Sequence, residues 1–162
     1  MIIRKFSPDD AEQLVSLIAD YRVFLAGLKS LSKRTDIESA KNELNDYLSP
    51  RYSIHVAIKD DEIVGYLVCR IDQDVVWAES LYVIPRMRRS GIGSALFSKA
   101  EDLSKELGND TVYNWIHPNN TGIINFLKKH NYDVLNLIEV RRAWKNEDVH
   151  STICVGDQKF RY

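Results

Sequence analysis

RRSGIGSALFSKAEDL, residues 88–103, sets two arginines and two glycines directly ahead of an amphipathic run. The residues before it, WAESLYVIP (77–85), read as a strand. Beyond the glycines, Leu96, Ala100, Leu103 and Leu107 mark one helical face, and Gly108-Asn109 supplies the C-terminal stop. The order is therefore strand, basic glycine turn, helix. Two readings of the turn stand side by side. Glycines at 91 and 93 let backbone amides approach a ligand with no Cβ in the way, and a helix start offers unpaired donors at a positive dipole end. Arg88 and Arg89 add bidentate partners for phosphate oxygens. The other reading is a packed strand-to-helix connection with exposed arginines. The spacing is not that of a P-loop, which needs a longer glycine interval and a Lys.

Working outward, the chain alternates elements of both kinds. Ile2 to Phe6 reads as a short strand. Ser7-Pro8-Asp9-Asp10 then provides an N-cap, a proline at the first helical position and an acid three residues after the cap. Leu14, Leu17, Ile18, Tyr21 and Leu25 continue that helix on one apolar face. A second helix is predicted from Asp36 to Tyr47, and the segment between the two, GLKSLSKR (27–34), is read as a loop that gates a site. From Tyr52 the period becomes that of a sheet: SIHVAI, IVGYLVCRI and VVWAESLYV form three strands in hairpin succession. After the glycine turn and its helix come a strand in TVYNWI (111–116), a last helix through Ile123, Ile124, Phe126, Leu127 and His130, and strands in YDVLNLIEV (132–140) and TICVGDQKF (152–160). The fold class is mixed α/β, of the α+β kind, with much antiparallel pairing, and the 162 residues are expected to form a single domain over 1–162.

Composition narrows the function. Lys and Arg number 22 against 23 Asp and Glu, so no overall basic field points to nucleic acid, and anion binding has to be local. No apolar run approaches the ~20 residues that span a bilayer. The amino terminus lacks the apolar stretch of a signal peptide, roughly 7 to 15 residues. A cytoplasmic protein that engages neither nucleic acid nor membrane is expected. Cys69 and Cys154 stand in no CxxC arrangement and are read as packing residues. His55, His117, His130 and His150 have no ligand spacing, so no metal is expected.

ESLYVIPRMRRSGIGSALFSKAEDLSKELG (79–108) resembles the central motif of the GNAT superfamily of N-acetyltransferases, an Arg or Gln followed by xxGxG or xxGxA between the fourth strand and the third helix. NNTGIINFLKKHNYDVL (119–135) is similar to that family's later segment of asparagine, helix and aromatic-ended turn. The resemblance implies a mostly antiparallel sheet splayed between strands 4 and 5, with helices on both faces and acetyl-CoA in the splay. It implies that backbone groups of Arg89, Ser90, Gly91, Ile92, Gly93 and Ser94 hold the pyrophosphate, with Arg88 beside them. The strand at Leu81, Tyr82 and Val83 would pair with the pantetheine arm, and the N–H near Leu81 would polarise the thioester carbonyl. Asn120 and Phe126 fit the family's positions for contacts to the cofactor arm. Asn120 reads equally as a helix cap and Phe126 as a core residue.

The implied reaction moves acetyl from acetyl-CoA directly to a primary amine of a protein, peptide or small molecule. A lysine-like amine, with pKa ~10.4, is only about one part in a thousand unprotonated near pH 7.4, a handicap of roughly 4 kcal/mol, so a base is expected. Glu79 matches the place of the family's glutamate base. Its other reading is an ion-pair partner or a solvated strand residue. Where many relatives carry a tyrosine that protonates the leaving thiolate, this chain has Leu127. Tyr132 or Tyr82 then stands in, or water, or no acid is needed. Tyr132 also matches a packed aromatic that follows a glycine in the family, replaced here by Asn131. Asp36, Glu38, Glu43 and Asp46, on or beside the second helix, either select a cationic acceptor or form a solvated face. Trp77, Tyr113 and Trp115 line the acceptor side or fill the core, and Asn114 is placed toward the site. A homodimer through the last strands is compatible with the family's habits. A catalytically weak acyl-CoA-binding sensor is the alternative to an enzyme.

Overall fold

The computed structural model describes residues 1–162. Strand β1 (Ile2–Lys5) leads through a 3-10 turn at Pro8–Asp10 into α1 (Ala11–Leu28), which is followed by α2 (Ile37–Tyr47). The meander β2 (Tyr52–Lys59), β3 (Glu62–Asp72) and β4 (Val75–Val83) comes next. A 3-10 turn at Pro85–Met87 precedes α3 (Ile92–Glu106), then β5 (Tyr113–Asn114), α4 (Thr121–Lys129) and the strands β6 (Thr152–Val155) and β7 (Gln158–Arg161). Two compact units divide within α4, Met1–Ile124 and Asn125–Tyr162.

The first unit is built on a five-stranded sheet in the order β1-β2-β3-β4-β5, antiparallel except for the parallel β4–β5 pair. Its centre is β3, whose apolar run from Ile63 to Cys69 is buried throughout, as a strand covered on both faces requires. Successive β3 residues show the two covers. A Cβ on Gly65 would lie 3.3 Å from Leu96 of α3, whereas the ring of Tyr66 packs edge-on against Tyr21 of α1 at 6.4 Å. The apolar face of α1, through Leu14, Leu17 and Ile18, is thus buried on one side of the sheet. Ile92, Leu96 and Ala100 of α3 are buried on the other.

Local chemistry explains the element ends. Asp10 closes the first turn by accepting from Ser7 N–H at 2.7 Å, and both its oxygens take Arg4, at 2.6 and 2.8 Å. Asp36 caps α2 by accepting from Ser39 N–H at 2.9 Å. Gly108, at φ +84°, ends α3.

The second unit differs from the sequence reading in two places. Residues 132–140, expected as a strand, are irregular, and Val134, Leu135, Leu137, Ile138 and Val140 are exposed. Strand propensity expresses itself beside a paired strand, and no strand of either sheet pairs with this segment. The stretch 152–160 is not one strand but the body of a hairpin, with Ile153 opposite Phe160 and Val155 opposite Gln158. Gly156, at φ +57°, and Asp157 make its turn. In the first unit, the strand expected over 111–116 shrinks to Tyr113–Asn114.

A Cβ at residue 65 would stand 2.8 Å from the Tyr82 carbonyl oxygen, a backbone atom that cannot yield cheaply. Gly65→Ala is therefore expected to destabilise the first unit by about 1–3 kcal/mol, measured by chemical denaturation. The Arg4 guanidinium holds the Asp10 carboxyl below its ordinary value of 3.8. A depressed carboxyl contributes stability in full above its unfolded value, and that contribution is lost as pH falls through the folded value. Asp10→Asn should accordingly cost about 1 kcal/mol at pH 7, and the gap to wild type should close below roughly pH 4 in pH-dependent unfolding curves.

Candidate active site

Strand β4 carries the site because its two edges are treated differently. Toward β3 it is paired along its whole length, and toward β5 it is paired only at Trp77–Tyr113 and Ala78–Asn114. From Glu79 onward the second edge is open. Ile84 N–H donates to Val64 O at 3.0 Å, which fixes the phase of the β3–β4 ladder. With Tyr66 opposite Tyr82 in that ladder, the alternate residues Leu81 and Val83 aim their N–H and C=O groups at the open edge.

The register also shifts within β4. Val68 stands opposite Ser80 and Cys69 opposite Ala78, so Glu79 is the inserted residue of a β-bulge. A bulge breaks the ladder locally and re-aims a side chain. The buried Ser80 hydroxyl donates to the Tyr66 hydroxyl at 3.0 Å and ties the strands on the far side of the bulge. The half-buried Glu79 accepts from Arg70 Nε at 2.9 Å through Oε2. Arg70 also bonds Asp72, and its guanidinium lies 5.3 Å from the Trp77 ring and 5.2 Å from the Trp115 ring. Of the two readings of Glu79, ion-pair partner is thus realised. The base reading passes to Oε1.

Beyond the open edge the chain enters the glycine turn. Arg89 at φ +64° and Gly91 at φ +86° are both left-handed, and Ser90 Oγ donates to Met87 O at 2.6 Å. The first helical bond of α3 runs from Ala95 N–H to Gly91 O, so the amides of Ile92 and Gly93 lie ahead of the intrahelical ladder. Nothing lies within 4 Å of a Cβ built on Gly91. An open turn of amide donors at a helix start, with Arg89 exposed beside it, suits an anionic diphosphate.

Arg88 makes contacts within the chain. Its Nε donates to Val83 O at 2.9 Å, and its guanidinium lies 5.3 Å from Phe24 and 5.6 Å from Tyr82.

A family model described as "Acetyltransferase (GNAT) family" matches residues 16–132. The chain belongs to the GNAT acetyltransferase family. Among curated proteins it is 30% identical over 89 residues to the "Probable N-acetyltransferase san" of Drosophila melanogaster, covering 52% of this chain and 48% of that protein. The match thus spans about half the length of that relative. Solved GNAT structures share the fold. The AAC(6')-Iy structure with the bisubstrate analogue CoA-S-monomethyl-acetylneamine superposes with a TM-score of 0.71 at 16% identity, covering 89% of this chain and 98% of that one. PaiA N-acetyltransferase from Thermoplasma acidophilum, in complex with coenzyme A, gives 0.69 at 21% identity, covering 80% and 87%.

The remaining candidates of this GNAT chain are distributed as follows. Asn120 is the cap of α4, its Oδ1 accepting from Ile123 N–H at 3.3 Å. Asn114 bends along its own strand, Nδ2 donating to Val112 O at 2.9 Å. Trp77 stacks between Tyr113, at 5.1 Å, and Trp115, at 5.0 Å. On α2, Asp36 is spent on its cap, while Glu43 accepts from Tyr47 Oη at 2.8 Å and also takes Arg22. Glu38 and Asp46 are exposed. Burial raises the Tyr21 and Tyr82 phenols, and the charges of Glu43 and Glu79 push Tyr21 further. Tyr47 rises for the same reasons, burial first. In the second unit, Phe126 packs on His130 at 4.6 Å, and Leu127 is buried. Tyr132 is half-buried, its N–H donating to Leu127 O at 3.0 Å after Asn131 at φ +64°.

Sequence reading missed Arg70, Tyr21 and Tyr47. Arg70 left a signal: it is the one charged residue in IVGYLVCRI. Such a residue at the end of a buried strand needs a partner.

Because Gly91 is left-handed with open space where a side chain would go, Gly91→Ala is expected to cost about 1 kcal/mol through backbone strain alone. Thermal unfolding should show a small, cooperative downward shift of Tm.

Proposed function

We propose that this protein transfers an acetyl group from acetyl-CoA directly to a primary amine of a protein, peptide or small molecule. The observation that carries the reading is the open edge of β4, which starts at the Glu79 bulge and runs into the left-handed turn at Gly91. Acetyl-CoA supplies the activated acyl group as a thioester. Every residue used here lies in the first unit.

Backbone amides of the segment Arg89 to Ser94 hold the pyrophosphate, and the exposed Arg89 adds its charge. The Leu81 N–H, on the open edge, donates to the carbonyl oxygen where negative charge develops. A fixed donor of that kind is worth roughly 3–4 kcal/mol. Glu79 accepts the proton of the acceptor amine through Oε1, directly or by way of one water, which gives that proton an acceptor as the nitrogen attacks. The Val83 carbonyl offers the pantetheine arm an acceptor on the same edge. That carbonyl already takes Arg88 Nε and keeps a second lone pair.

A second reading is favoured by one observation. By the family resemblance, Leu127 takes the sequence position at which many relatives carry a tyrosine that protonates the leaving thiolate, and a leucine cannot donate a proton. In that reading the protein binds acyl-CoA and turns it over poorly.

Calorimetric titration of acetyl-CoA into wild type and into Gly91→Asp tests the binding step. Micromolar binding in wild type, lost in the variant while the fold is retained, is the expected result. No heat in a folded wild type would sink both readings. Mass spectrometry of acetyl-CoA incubations with spermidine, kanamycin and a tetrapeptide with a free amino terminus then decides between them. Amine products 42 Da heavier, reduced by Glu79→Gln, are expected of the enzyme, since N-acetylation adds one C2H2O unit. Tight binding with no product in any arm marks the sensor.

A further inference from the structure

We propose that Arg70 is a positioning residue of the acetyl-transfer site, holding Glu79 by one oxygen so that the other faces the nucleophile. This rests on the reading of Glu79 as the base. The sequence places Arg70 directly after seven buried residues of β3, with its side chain only 13% exposed. A guanidinium taken that far from water is costly unless its donors and faces are used. Both are used: Nε on Glu79 Oε2, Nη1 on Asp72, and the planar group over Trp77 and Trp115.

Register explains why the contact constrains Glu79. Arg70 is directly opposite Trp77, and Glu79 is the inserted residue of the bulge, whose backbone is released from the ladder. A bulged residue gains freedom of direction, and a carboxylate on three rotatable bonds spreads over several orientations. The Nε–Oε2 bond removes that freedom from one end. Asp72 and the two indoles in turn fix Arg70, so the direction of Nε is set by three contacts outside Glu79. A lysine cannot replace this arrangement. Its ammonium is a point charge without a plane to lie over two indoles or a fork to hold two carboxylates at once.

The test is a double-mutant cycle on CoA release from acetyl-CoA, with spermidine as the amine and, in parallel, with water as the only nucleophile. Arg70→Gln is expected to lower kcat roughly tenfold or more while leaving KM for acetyl-CoA within about twofold. Arg70→Lys should recover little of the loss. In a Glu79→Gln background the Arg70→Gln change should have no further effect on kcat, because its action passes through the carboxylate. Equal losses in both backgrounds, or full recovery by Lys, would overturn the inference while leaving Glu79 as the base. Should Arg70→Gln fail to fold, Arg70→Lys and Asp72→Asn carry the cycle, the latter loosening Arg70 while sparing its bond to Glu79. If Glu79→Gln keeps the wild-type kcat, or wild type turns over none of spermidine, kanamycin, the tetrapeptide and water, the proposed function fails and this inference fails with it; where kanamycin or the tetrapeptide alone is acetylated, that amine replaces spermidine in the cycle.

Discussion

The parallel contact between β4 and β5 lasts two residues, and the open edge that the proposed acetyl transfer uses depends on its stopping there. A longer contact would satisfy the amides of Leu81 and Val83 within the sheet and close the edge. A missing contact would leave Trp77 and Ala78 without the anchor that keeps β5 beside the strand. The bulge acts on the other side of β4, taking Glu79 out of register with β3 while Ser80 and Tyr66 restore the ladder one residue later. Edge, bulge and turn are successive stretches of one piece of chain. Their relative positions are set by covalent distance and by the burial of Val76, Ser80 and Tyr82, with little left to loops.

Much of this was legible in the sequence, and the reasons differ by element. The hairpin strands were marked by alternation and by charged turns, and α1 and α3 by apolar residues at three and four residue steps. These are local signals, reinforced by the burial they predict. The glycine turn was legible for another reason: its glycines stand between a strand and an amphipathic helix, although the left-handed backbone at Arg89 left no sign of its own. By contrast, the extent of β5 and the state of residues 132–140 depend on what lies alongside. The apolar run through Val134, Leu135, Leu137 and Ile138 reports a capacity to pair and says nothing of a partner.

Side-chain commitments were the least legible. Arg88 and Arg89 are adjacent and chemically identical. Arg88 nevertheless lies over Phe24, far from it in the sequence, and Tyr82 of β4, whereas Arg89 takes a left-handed backbone at φ +64°. In the same way, Asp36 and Glu43 looked like one acidic face of α2. One serves its own helix cap and the other the Arg22–Tyr47 pair. Charge pattern along a helix gives the sign of a surface, but a partner from another element decides whether that charge reaches a ligand.

Gly65 has a consequence for how relatives of this chain are compared. It stands opposite Val83 in the strand that carries the site, and it sits there because the Tyr82 carbonyl and the α3 residue Leu96 leave no room for a methyl group. Substitution at this position is opposed by packing whatever ligand the chain takes. A glycine retained there across acceptors as different as antibiotics and peptides would record the closeness of two strands and a helix.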